Sequence, residues 1–129
     1  MGSFSDMIAR RVAAMVPKYE DAAAAMTPQM RRILERTRSG MDVQGQPFKD
    51  KKDGSRSTLS KTGLLQRSIR LRIDMSTGVP RAEICVDGPA AKYAPYVNQV
   101  RPFMGVSDSD HYRMMGDFVD SINRRIRRA

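Results

Sequence analysis

The sequence has little of what usually carries chemistry. It contains one cysteine, one histidine and no tryptophan, and aromatic residues make up 6% of its 129 positions. One cysteine excludes an internal disulfide, and Cys85 falls in an alternating apolar and polar run, the setting of a strand residue and not of a reactive thiol. His111 follows SDSD at a helix start, and one imidazole beside two capping carboxylates, Asp108 and Asp110, is too few ligands of the right kind for a metal centre. No nucleophile and base stand together, and DGSRS (53–57) is turn composition. The glycines at 54, 63, 78, 88 and 105 are dispersed and form neither a P-loop nor a dinucleotide fingerprint. No enzyme, cofactor or metal is expected. Apolar runs all fall short of a membrane span, and MGSFSDMIARR has no basic stretch followed by an apolar one, so neither secretion nor membrane insertion is expected.

What is abundant is positive charge and methionine. The formal net charge is +9, which favours acidic or polyanionic partners, and ten methionines suit adaptable packing surfaces. The length fits a single domain with a modest core, one that needs neighbours.

Hydrophobic spacing divides the chain into a helical region over 5–39, an extended loop or arm over 40–61, a β-hairpin region over 66–87, an aromatic crossing over 92–105 and a C-terminal helix over 108–127. Ile8, Val12 and Met15 share one helix face, with Ser5 as the expected cap. Pro17 interrupts, and the alanines at 22–25 form a spacer or a close-packed helix face. Thr27-Pro28 predicts a fresh helix start, Met30, Ile33, Leu34 and Thr37 a stripe, and Gly40 a stop. Arg31, Arg32, Arg36 and Arg38 lie mostly off that stripe and are expected on solvated surface.

Ile69, Leu71, Ile73 and Met75 alternate with polar residues, as do Ala82, Ile84 and Val86, and STGVPR between them supplies a turn, so an antiparallel hairpin is predicted. Arg70 or Arg72 should pair with Glu83 on its outer face. In the last segment Ser107 or Ser109 caps a helix, and Tyr112, Met115, Val119, Ile122 and Ile126 form a narrow seam expected to pack on the sheet of its own chain. The fold class expected is α+β, with N-terminal helices and a long C-terminal helix packed on a small antiparallel sheet.

Three stretches, in order, resemble the virion morphogenesis family of tailed bacteriophages, the tail-completion and neck proteins that help join head to tail. Gly45, Pro47 and Phe48 followed by Thr58-Leu59 resemble its G-x-P-[WF] loop and Thr-Leu pair. Thr62-Gly63-x-Leu65-x-x-Ser68-Ile69 resembles its lead into a strand. Tyr93-Ala94, Val97-Asn98-Gln99, Arg101-Pro102-Phe103-Met104-Gly105 and Ser107-x-x-Asp110 resemble its YA…Q and RPF-[LM]-G-x-S-x-x-D sequence. A single residue, Val100, stands where family members carry a glycine and a further loop.

The resemblance implies a structural virion protein, assembled in the host cytoplasm, that forms a homo-oligomeric ring in the neck or at the head-proximal tail end. That ring joins head connector to tail around the DNA channel. A hexamer is the first expectation and a dodecamer the second. Phe48, Leu59, Tyr93, Tyr96, Arg101 and Phe103 are the expected subunit or partner contacts, although Tyr93, Tyr96 and Phe103 also suit a core under the crossing. Lys49, Lys51, Lys52, Arg56, Arg124, Arg125, Arg127 and Arg128 are expected to meet acidic faces of other neck, connector and tail proteins. The alternative is a small basic nucleic-acid-binding protein, favoured by charge alone.

Overall fold

A computed structural model describes residues 3–48 and 63–129, with the side chains of Tyr96 and Val100 outside the description. Leu59, Lys49, Lys51, Lys52 and Arg56, and most of the expected 40–61 arm, lie outside the described residues. The described part of that arm is ordered: Met41 bridges Pro47, the Phe48 amide donates to the Gly40 carbonyl at 2.7 Å, and Phe48 is buried.

Helix α1 (Phe4–Met15) is capped by Ser3 and not by Ser5, because Ser3 and Asp6 form a reciprocal capping box. Helix α2 runs unbroken over Tyr19–Ser39, so Thr27-Pro28 starts nothing: Pro28 lies inside the helix. A proline there removes one backbone bond, yet the buried residues Asp21, Ala22, Ala25, Gln29, Ile33 and Arg36 form one face across it. Tertiary burial of that face outweighs the local break. The alanine run supplies its close-packed part, through Ala22 and Ala25. Gly40, at φ 74, ends the helix as expected.

A short helix, α3 (Leu64–Ser68), leads from left-handed Gly63 into strand β1 (Ile69–Asp74), which pairs antiparallel with β2 (Arg81–Val86). The register places Ile69 opposite Val86, Leu71 opposite Ile84 and Ile73 opposite Ala82, which is the predicted apolar face. On the other face Arg72 lies opposite Glu83, 3.8 Å away as an ion pair, and closer to Asp87 at 2.7 Å. Both pairs are solvated and weakly stabilising.

Much of the aromatic crossing is helical. A 3-10 turn over Gly88–Lys92 precedes helix α4 (Ala94–Val100), and the stretch 101–107 is neither helix nor strand. Proline at the first turn of each, Pro89 and Pro95, removes an amide that would have no partner there, which lets these short helices start. Helix α5 (Asp108–Arg128) closes the fold, capped by Ser107 in a capping box with Asp110.

The fold is therefore α+β: helices before and after a two-stranded antiparallel sheet, packed on it. Its core gathers Ile33 of α2, Phe48, Leu65 of α3, Ile69 of β1, Ala90, Ala94 and Phe103, with Ile84, Val86 and Val97 packed around them.

Candidate subunit interface and the buried clamps behind it

Helices α2 and α5 lie antiparallel, and the face between them is largely polar. At one end Asp21, fully buried, accepts from Arg125 at 2.7 and 2.8 Å and from the Ser121 hydroxyl at 2.6 Å. Arg125 donates further to Glu20 at 2.6 Å and to the carbonyls of Ala14 and Val16 at 2.9 Å, so one guanidinium ties α1, α2 and α5 together. Burial alone would raise the Asp21 carboxyl, but Arg125, the Ser121 hydroxyl and the Lys18 amide outweigh it and pull it down to about 2.

At the other end Arg36, also buried, pairs with Asp110 and donates to the carbonyls of Gly105 at 2.9 Å and Phe103 at 3.4 Å. Gln29 donates to Asp110 at 3.3 Å, and the Ser107 amide does so at 3.2 Å. Burial works to raise the Asp110 carboxyl, yet Arg36, the Ser107 amide and Gln29 hold it below the usual carboxylate range. Beside this clamp an open cleft of about 430 Å³ is lined by Arg32, Arg36, Met41, Val43, Ser107 and Asp108, among others.

The stretch Phe103 to Asp110 is thus a joint. The Asn98 side chain accepts from the amides of Phe103 and Met104 at 3.0 Å, and Phe103 itself is fully buried. A Cβ on Gly105 would meet the Val43 side chain at 2.9 Å, while the Val43 amide donates to the Pro102 carbonyl at 3.0 Å. Glycine is needed there for close approach.

Several expected contact residues therefore have other work. Phe48 and Phe103 are buried within the chain's own core and offer no surface to a second subunit. Arg125 is held by Asp21 and Glu20 within the chain, and so is unavailable to a neighbour's acidic face. Arg36 is likewise buried and paired, not on solvated surface, because Asp110 is brought to it by α5. Tyr93 is exposed, Arg101 half-buried, and Arg124 and Arg128 exposed together with Arg127. The side chain of Tyr96 is outside the described residues.

The helix seam is also corrected. On α5 the packed face is Asp110, Met114, Phe118, Ser121 and Arg125, while Tyr112, Met115 and Val119 are exposed, Tyr112 to 84%. On α1 the predicted stripe is equally uncovered, with Ile8 44%, Val12 55% and Met15 53% exposed, and Phe4, 72% exposed, extends it. Nothing in the spacing of apolar residues separates a seam that packs inward from one that faces out; the signal missed was polar residues, Asp110, Ser121 and Arg125, recurring on the adjacent face of α5 and matching Asp21, Gln29 and Arg36 on α2.

Among the described residues no group of three metal-ligating side chains occurs, and no described helix is long and apolar enough to cross a membrane. The chain matches no family model, no curated protein and no solved structure.

Proposed function

We propose that this chain is a structural subunit of a tailed-bacteriophage virion, without catalytic activity, that assembles into a ring in the neck or at the head-proximal end of the tail. The observation that carries it is the pair of uncovered apolar helix faces, Phe4, Ile8, Val12 and Met15 on α1 and Tyr112, Met115 and Val119 on α5. Contiguous exposed apolar side chains on a small domain mark interaction surfaces. The resemblance adds the place of assembly, and the residues that carry it sit at joints of the fold: Gly63 and Ser68 around α3, and Phe103, Gly105, Ser107 and Asp110 where α5 is locked to α2. Joining connector to tail around the DNA channel is the role such a ring serves.

Light scattering of the purified protein across protein and salt concentrations tests it. A closed ring of six or twelve protomers that survives moderate salt supports the assembly. A monomer throughout overturns it.

A second function has its own observation, the exposed Arg124, Arg127 and Arg128 along the last turns of α5. A nucleic-acid contact through these arginines would weaken steeply between low and moderate salt, whereas an interface of buried methionine and aromatic surface would not.

A further inference from the structure

The two uncovered faces cannot cover each other within one chain. The Arg125 guanidinium holds the Ala14 carbonyl at 2.9 Å, and Arg10, Ala14, Arg125 and Arg128 line one hollow, so α1 lies antiparallel to the C-terminal turns of α5. From Arg125 back to Tyr112 is about 20 Å along the helix axis at 1.5 Å per residue. Moving from Ala14 toward Phe4 leads away from Tyr112, not toward it. The α1 stripe is about 16 Å long and the exposed part of the α5 stripe about 10 Å, so one can lie along the other.

Two further features of α5 suit a helix as its occupant. Gly116 stands between Tyr112, Met115 and Val119 on the helix surface, with nothing within 4 Å of where its Cβ would be. A glycine in a helix interior is unfavourable relative to alanine, and an open one beside an apolar stripe permits a second backbone to approach closely. The charges also match. Arg11 borders the stripe on α1, and Asp108 and Asp120, both exposed, border the stripe on α5.

We infer that α1 of one copy docks its Phe4, Ile8, Val12 and Met15 face onto the Tyr112, Met115 and Val119 stripe of α5 in a neighbouring copy, passing over Gly116. The inference rests on the ring assembly and supplies its contact. The contact is head-to-tail: each copy gives its α1 on one side and receives a neighbour's α1 on the other, so successive copies close into a ring when their rotation allows. It leaves the α2–α5 clamps untouched, because those face the opposite side of α5.

The test is cysteine cross-linking in full-length chains carrying Cys85→Ser. Chains with Val12→Cys and chains with Met115→Cys are co-expressed, oxidised and compared with each variant alone. The expected result is a mixed disulfide in about tenfold excess over either homodimer, since only pairs within bonding distance join. Arg11→Glu should weaken assembly, and Asp120→Lys in the same chain should restore it. Homodimers of the Val12→Cys chain would show α1 pairing with α1, and homodimers of the Met115→Cys chain would show α5 pairing with α5; either overturns the inference. A ring by light scattering that yields no mixed disulfide overturns the docking and leaves the ring standing, whereas a monomer overturns both.

Discussion

Arg36 and Asp110, 74 residues apart in the chain, form a buried ion pair that fixes the start of α5 against the end of α2. Around it the carbonyls of Phe103 and Gly105 accept from the other terminal nitrogen of the guanidinium, and Gln29 and the Ser107 amide donate to the carboxylate. Such a pair adds little net stability over an apolar contact of the same shape, but losing one partner leaves a buried charge unmatched. Asp110→Asn keeps one acceptor oxygen for the Ser107 amide, removes the charge and turns the other carboxylate oxygen into a donor. It should cost about 3–5 kcal/mol in urea unfolding; a loss below about 1 kcal/mol, the value of a cap alone, would show that the pair is solvent-screened.

Among the described residues Phe103 is the largest fully buried side chain. Phe103→Ala should destabilise by about 3–5 kcal/mol, seen as a lower urea midpoint with an unchanged slope. Unchanged melting would mean that Phe103 is not in the core.

Gly105 approaches Val43 too closely for a Cβ, at 2.9 Å. Gly105→Ala should therefore destabilise by about 1–3 kcal/mol, and Val43→Ala in the same chain should recover part of the loss by removing the methyl groups in the way. Additive costs would show that the two residues do not meet.

Asp21 predicts the acid response. Its carboxyl is held at about 2 in the folded protein, below the usual 3.8, so the unfolded chain binds the proton more readily. The stability it contributes, on the order of 2 kcal/mol, is present above about pH 4 and is lost as pH falls toward 2. Asp21→Asn should lower stability at neutral pH and flatten the acid limb of a stability curve between those values. A limb as steep as that of the unsubstituted protein would place the responsible carboxyl elsewhere.

Gly116 separates folding from assembly. Gly116→Ala should raise the stability of a dilute, dissociated protomer by up to about 1 kcal/mol, because it removes a glycine from a helix interior. In the same chain the added methyl should weaken association. Stability and assembly rising together would argue against close approach at this position.

The sequence by itself determined the local elements and their ends. Period-two alternation set the hairpin, including its inward face of Ile69, Leu71, Ile84 and Val86, and Gly40 and Ser107 marked where α2 stops and α5 starts. These signals are local, because side-chain alternation and capping involve neighbours within four residues. What only the tertiary structure decided was which faces meet. Pro28 reads locally as a helix start, yet the continuous burial of α2 carries the helix through it. Apolar spacing on α5 points to Tyr112, Met115 and Val119, yet the buried face is the one bearing Asp110, Ser121 and Arg125, because Arg36 of α2, 74 residues from Asp110, and Asp21 of α2, 100 and 104 residues from Ser121 and Arg125, satisfy them there. A charged side chain reads as surface until its partner is in place, and that partner is supplied by the fold.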